Sequence, residues 1–572
     1  MKIILKFMRP FYGRMFFGLF IKIIGTVMDL FLPYILAHII DDIVPAGKQN
    51  DIFSWGAIMI LSSVIALAGN ICANRIASAV ARDTTKALRH SLFSKVMYLS
   101  SERLDEFTVP SLESRLTSDT YQIHRVLGMV QRLGVRAPIL LIGGIAMTLA
   151  LDPVLTLVMT ATLPFISLTV YLISKKGIPM FTDVQRGVDD MTRVVRENAR
   201  GIRVVKALSK TDYEKRHFDR ANRELVRLEK KANLTMSLTN PMMTLFLNIG
   251  LASVIFVGAL RVRGGFTKPG TIIAFMSYFT IVTNAMLSIT RIFTMVSRGT
   301  ASANRIAEVL NSEPDLPVAS KGEKTTDDGY IVFDNVSFSY KGAKDNLRNI
   351  SFSLQKGATL GIIGSTGSGK STIIELIMRY YDANSGNIFI DGRDIRTYEY
   401  KELHGKIGIV RQNDFLYNDT IEDNIKFGRN ISHESVVRAA EIAQASKFIE
   451  GKEGGYNYVL TAKGTNVSGG QKQRLLIARA VAASPELLIL DDSSSALDYK
   501  TDAALRRRIA EEYSDTTTVI VAQRVSSIMS SDLIIVLEDG EIIASGVHDE
   551  LMENCDVYRE ISETQLGGAI LD

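Results

Sequence analysis

Six long apolar runs restrict this chain more than any other feature. They fall at about 15–40, 54–80, 134–151, 153–174, 239–260 and 271–293, each near the twenty or so residues that a helix needs to cross a bilayer core. In lipid every backbone N–H and C=O must be satisfied within the spanning element, so runs of this length predict membrane-crossing helices. The rest of the 572 residues cannot share their core, and at least one further domain is expected.

The connections between runs alternate. Residues 41–53 are short and acidic (Asp41, Asp42, Asp51), and the third and fourth runs meet at a tight Leu151-Asp152-Pro153 turn. Residues 82–133 and 175–238 are long, charged and helix-favouring, as if the helices continue out of the bilayer. The basic N-terminus (Lys2, Lys6, Arg9, Arg14) and these basic segments place both termini and both long loops inside. The loop Arg261–Lys268 should then lie outside, yet it carries Arg261, Arg263 and Lys268. No cleaved signal is expected, because the first run is too long and no small-residue cleavage site follows it.

At about 311–329 the composition turns polar, with two prolines, and predicts a linker between a membrane domain (1–310) and a second domain (330–572). In the second domain short β-branched runs alternate with helical stretches, the pattern of an α/β domain with a parallel sheet. Net charge is only +5, from 66 basic and 61 acidic residues, which gives no electrostatic case for nucleic acid as a partner. Cys72 and Cys555 are too far apart in sequence to suggest a disulfide framework or a zinc site.

The run ATLGIIG ends in Gly364, Ser365, Thr366, Gly367, Ser368, Gly369, Lys370, Ser371 and Thr372, followed by a helical stretch. Strand, G-x-x-x-x-G-K-[ST] and helix together make a P-loop, whose backbone N–H groups cradle phosphate at a helix N-terminus. Lys370 would reach the β/γ-phosphates and the Ser371 hydroxyl would ligate Mg²⁺. A second glycine pair lies in Val467, Ser468, Gly469, Gly470 and Gln471, shortly before the buried-strand pattern Leu487–Leu490 that ends in Asp491 and Asp492.

Taken in order, these motifs resemble the nucleotide-binding domain of ABC transporters. The six runs resemble the exporter type that fuses membrane and ATPase parts in one chain. The resemblance covers essentially the whole sequence and implies a polytopic α-helical membrane domain followed by an α/β P-loop NTPase domain, using ATP and Mg²⁺. By it, Tyr340 stacks on adenine, Gln412 touches Mg²⁺ and Asp491 holds it. Ser495, Ala496, Leu497 and Asp498 match the D-loop at a dimer interface. Val467–Gln471 matches the signature that closes over the ATP of a second ATPase domain, its helix beginning near Gln471. Pro110–Ser118 and Ser209–Tyr213 match stretches of the two intracellular loops that touch ATPase domains.

Two positions depart from the family pattern. The catalytic glutamate after the Mg²⁺ aspartate is Asp492 here, and the histidine before the arginine in VIVAQR is Gln523. The segment TAKGTN before the signature also lacks the family's glutamate. Altered catalytic positions beside an intact ATP cradle imply a site kept for binding more than turnover. A second half-transporter, in a heterodimer rather than a homodimer, would supply the working site. Small-molecule, lipophilic or drug-like substrates are the default by resemblance. A lipid or peptide exporter, an importer on the same fold and a non-transporting ATP sensor are the rivals. Lys22, Asp29, Asn70, Asn74, Asn248, Asn284 and Arg291 lie inside the runs and should face protein or a cavity. Met242, Met243, Met276 and Met286 suit either an adaptable cavity or the core.

Overall fold

Charged, helix-favouring residues on the long-loop side of the apolar runs let the helices continue beyond them. A computed structural model describes residues 2–312, 316–340, 345–412, 414–493 and 496–567. Among these, six helices are long and apolar enough to cross a membrane: Ile3–Ile43, Gln49–Met97, Val109–Leu151, Pro153–Ala207, Thr211–Arg263 and Pro269–Asn311. The chain divides into two units, residues 1–97 with 110–312, and residues 98–109 with 313–572. The stretch Pro110–Ser118 belongs to the first unit, and the twelve-residue segment before it belongs to the second. Within that second unit the Tyr381 hydroxyl donates to Asp105 at 2.7 Å.

In the first unit, Asp152 caps the helix that starts at Pro153, accepting from the backbone N–H groups of Val154 (2.9 Å) and Leu155 (3.1 Å). Proline at the first helical position costs no hydrogen bond, which is why two spans can meet there so abruptly. The same carboxylate accepts from Arg261 at 2.9 Å. Lys268 pairs with Asp42, and Asp41 receives the backbone N–H of Thr271 at 2.8 Å at the start of the last long helix. Two of the three positive charges in the Arg261–Lys268 loop are therefore neutralised by acids of the two other short connections. All three connections lie on one side, as the alternation of loops requires.

The polar residues within the first runs satisfy one another. Lys22 donates to Asn70 (2.8 Å) and Asn74 (3.0 Å), Asn70 donates to Asp29 (3.2 Å), and Arg136 donates to Asp29 (3.0 Å). Lys22 and Asp29 share a helix face, and their partners come from the two helices packed on it. Asn248, Asn284 and Arg291 are exposed.

The second unit contains two sheets. Six strands run in the order Glu541–Gly546, Leu533–Glu538, Thr359–Gly364, Thr517–Val521, Leu487–Asp491 and Ile407–Val410. All neighbours are parallel except the first pair, a hairpin. A separate antiparallel sheet is built from Leu347–Leu354, Ile331–Phe338, Ser385–Ile390 and Arg393–Asp394. Strand Leu487–Asp491 is buried on both faces. Leu487 and Ile489 join the core between the sheets, whereas Leu488 and Leu490 join a second core with the helix Gly469–Val481. A continuous aliphatic run is what a parallel strand covered on both sides requires. It delivers Asp491 and Asp492 to its C-terminal end. Residues 316–329 are tied to this unit, with Arg379 donating to the Pro317 carbonyl at 2.9 Å and Ala319 N–H to the Arg396 carbonyl at 2.9 Å.

Candidate functional site

The strand Thr359–Gly364 ends in the P-loop, and the helix Lys370–Ile377 begins directly after it. Gly369, the residue before that helix, has φ +102°, a conformation that side chains disfavour, and a Cβ there would lie 2.6 Å from Leu347. Glycine is thus required both for the turn and for the close approach. Lys370 Nζ donates to the carbonyls of Gly364 (2.8 Å) and Ser365 (2.7 Å). The Ser368 hydroxyl is buried in the loop and has no partner among the described residues.

The P-loop residues 364–367 and 369–372 line a cleft of about 700 Å³ with Gln412, Asp491, Asp492 and Gln523. Asp491 is buried, and its Oδ2 lies 3.5 Å from the Ser371 hydroxyl. Burial pushes the Asp491 carboxyl above its ordinary value, with Asp492 adding to the effect and Arg411 opposing it. Burial lowers Lys370, against the pull of both aspartates. A desolvated carboxylate beside a hydroxyl is a hard-oxygen donor set that fits Mg²⁺ bridging to phosphate. Among the described residues no group of three or more His, Cys, Asp or Glu side chains forms a metal cage. Mg²⁺ characteristically relies on phosphate and water for its other ligands.

Asp492 sits just beyond the strand with φ +49° and N–H bonded to the Val521 carbonyl at 2.9 Å. Its Oδ2 accepts from the Gln523 amide at 2.9 Å and from the Gln412 amide at 3.3 Å. Burial raises Asp492 as well, opposed by the Gln412 hydrogen bond, Arg524 and Lys370. The two positions that depart from the family pattern are therefore bonded to each other.

The signature residues do not line this cleft. Ser468 caps the helix Gly469–Val481, its hydroxyl accepting from Gln471 N–H (3.3 Å) while the Gln471 side chain accepts from Ser468 N–H (3.1 Å). The helix thus starts at Gly469, two residues before the expected point, because this reciprocal cap closes its first turn. Of the D-loop residues, Ser495 lies outside the described set. Ala496 packs on the signature, its carbonyl 3.1 Å from where a Cβ on Gly470 would lie. Leu497 is buried in the helical core, and Asp498 caps the helix Tyr499–Glu512 by accepting from Thr501 N–H at 2.9 Å.

Tyr340 is also outside the cleft lining. Its hydroxyl donates to Glu375, and its ring meets Phe338 and Tyr381 edge-on at 4.8 and 5.2 Å. Sequence reasoning missed the helix Asp556–Gly567, whose Val557, Ile561 and Gln565 line the cleft. Gln565 donates to the Gln523 carbonyl and accepts from Val525 N–H, both at 2.8 Å. A glutamine more than forty residues after Gln523 in sequence carries no motif that could have announced this.

Residues 15–286 match the ABC transporter transmembrane region family, and residues 347–495 match the ABC transporter family of ATP-binding domains. An uncharacterized ABC transporter ATP-binding protein, YfiB of Bacillus subtilis, is 34% identical over 98% of both chains. The chain belongs to the ABC transporter family. A putative ABC transporter ATP-binding protein of Streptococcus pneumoniae, exp8, is 30% identical over 99% of this chain and 97% of its own. The fold of a bacterial Atm1-family ABC exporter with ATP bound superposes with a TM-score of 0.81 at 24% identity, over 96% of this chain and 97% of that one. This ABC transporter therefore joins a multi-pass membrane region and an ATP-binding domain in one chain, with the exporter-type fold. Membership in the ABC family implies ATP binding and hydrolysis coupled to transport.

Proposed function

We propose that this chain is one half of a heterodimeric ATP-driven exporter of lipophilic or drug-like compounds, held in the plasma membrane with its termini and ATPase domain in the cytoplasm. The observation that carries the heterodimer reading is the hydrogen bond from Gln523 to Asp492 at 2.9 Å. A general base must reach the attacking water within about 2.6–3.2 Å. Asp492 is one methylene shorter than the family's glutamate, and a misplacement of about an ångström can cost about a hundredfold. Its Oδ2 is held by two amides, which restrain it and stabilise its charged form. Gln523 can donate a hydrogen bond to a γ-phosphate but can neither carry a charge nor shuttle a proton.

The binding half of the site is intact. The P-loop amides and Lys370 would hold the phosphates, Ser371, Gln412 and Asp491 would hold Mg²⁺, and Tyr340 would stack on adenine. Val467–Gln471, capped and preorganised at a helix N-terminus, serves the ATP bound on the partner chain. Closure of the ATPase dimer on ATP then moves the long intracellular helices and turns the membrane cavity outward. To test this, the chain is purified alone and with its genomic neighbour. ATPase activity is expected only in the pair; rapid hydrolysis by the chain alone, abolished by Asp492→Asn, contradicts the reading.

A further inference from the structure

The membrane unit contains a second cavity of about 630 Å³, bounded by four of the long helices. Its lining is mostly apolar, with Met129, Met243 and Met295 among the wall residues. Three arginines also open into it, Arg125, Arg291 and Arg298, and no Asp or Glu does. All three side chains are exposed, and none has an ion-pair or hydrogen-bond partner among the described residues. Other arginines of the same unit are paired: Arg136 with Asp29, Arg305 with Asp119 and Arg261 with Asp152.

From this pattern we propose that the cavity binds an amphipathic anion, a compound with one carboxylate, sulfonate or phosphate head and an apolar body. This deepens the exporter reading and rests on it for the step from binding to transport. Arg291 lies within the sixth apolar run, Arg125 precedes the third and Arg298 follows the sixth, so the cationic group sits at one end of the membrane region. A guanidinium fork is the side chain best suited to a planar or tetrahedral oxyanion, and three without acids leave a net positive wall. Methionine is unbranched and polarizable, so a Met-lined wall adapts to apolar bodies of varied shape. A neutral or cationic lipophile would leave the three charges without a counter-charge from the ligand. Basic residues also gather at cytoplasmic helix ends to set topology. That role needs neither a shared cavity nor a methionine wall, and it predicts no bound ligand.

The test uses the full chain in phosphatidylcholine nanodiscs with radiolabelled dodecanoate as the probe. Saturable binding is expected, displaced by decyl phosphate and not by decyltrimethylammonium. The triple variant Arg125→Gln, Arg291→Gln, Arg298→Gln should bind about tenfold more weakly or worse, while binding of a fluorescent ATP analogue stays unchanged and shows that the protein is folded. The corresponding triple lysine variant should keep part of the affinity, since charge remains and the fork is lost. Loss of dodecanoate binding in phosphatidylglycerol nanodiscs identifies a lipid headgroup as the occupant, and undiminished binding identifies a free anion; either supports the site. Equal binding by the glutamine variant, or stronger displacement by the cation, overturns it. ATP-dependent flux of a neutral lipophile by the paired protein, with no dodecanoate binding, overturns this inference and leaves the exporter reading standing. Bound dodecanoate without any ATP-dependent flux overturns the exporter reading and leaves the site.

Discussion

Gln523 donates to Asp492 across 2.9 Å, and Gln412 donates to the same carboxylate oxygen from 3.3 Å. Thirty-one residues separate Asp492 from Gln523 in sequence, yet two neighbouring strands, Leu487–Asp491 and Thr517–Val521, bring their following loops side by side. A family site with glutamate and histidine has a base and an ionisable partner at these places. Here a shorter carboxylate is held by two neutral amides.

Restoring the family residues should restore turnover. Asp492→Glu combined with Gln523→His is expected to raise ATP hydrolysis by the chain alone at least about tenfold, since a positioned general base contributes about 10²–10⁴. The single changes should fall short of half of that gain in logarithmic terms, because residues in contact do not act additively. Phosphate release from the purified variants checks this.

The aromatic cluster around Tyr340 gives a separate prediction. Tyr340→Phe removes the hydroxyl bond to Glu375 but keeps the ring, and should change ATP affinity little. Tyr340→Ala should weaken it by about 1–3 kcal/mol, the worth of one base stacked on an aromatic ring. A guanine-for-adenine comparison should show little discrimination, since stacking tolerates any base. Equilibrium binding of labelled nucleotides decides it.

Nucleotide binding should depend on pH through Asp491. Burial raises this carboxyl above 3.8 in the folded protein. The folded state therefore holds the proton more tightly than the unfolded one, and the group's contribution to stability is present at low pH and lost as pH rises through the raised value. Mg²⁺ requires the deprotonated form. Affinity for Mg·ATP should thus weaken as pH falls toward that value, with less effect on ATP in the absence of Mg²⁺. Titrations downward from neutral pH, with and without Mg²⁺, test the sign.

The membrane unit offers a stability prediction. Asp152 is buried, caps one helix and pairs with Arg261. Asp152→Ala removes an N-cap and leaves the half-buried Arg261 without its carboxylate, at a cost of about 1–3 kcal/mol. Asp152→Asn should recover part of this, because an asparagine oxygen also caps. Thermal unfolding of the solubilised protein measures both.

Much of this architecture is legible in the sequence, and for definite reasons. A lipid solvent leaves helices little alternative, so the six runs give six helices, and the charged stretches after them continue as helix. The P-loop lies between strand Thr359–Gly364 and helix Lys370–Ile377 because Gly367 and Gly369 can take the positive φ that the turn needs and other residues disfavour. The antiparallel sheet was harder to foresee. Strands Ile331–Phe338 and Leu347–Leu354 pair locally through register shifts, which blur the two-residue period that separates them from the parallel strands. Contacts between distant segments left no trace at all. The Gln523–Asp492 bond, the clasp of Gln565 on the Gln523 loop and the pairing of Lys268 with Asp42 exist only once the chain has folded. The arginine-lined cavity is similar: Arg291 stands out alone in its apolar run, but Arg125 and Arg298 read as ordinary flanking charges until two packed helices bring them together.

The central claim is that this chain's signature works while its own base does not. The most direct measurement compares two variants in the co-purified pair. Gly470→Asp places a charge where an added Cβ would lie 3.1 Å from the Ala496 carbonyl and where the partner's γ-phosphate would sit. Asp492→Asn removes only this chain's own base. ATP hydrolysis by the pair should fall about a hundredfold or more with Gly470→Asp, the scale of losing transition-state positioning, and should change less than about twofold with Asp492→Asn. The opposite order, with Asp492→Asn abolishing hydrolysis and Gly470→Asp sparing it, would contradict the account.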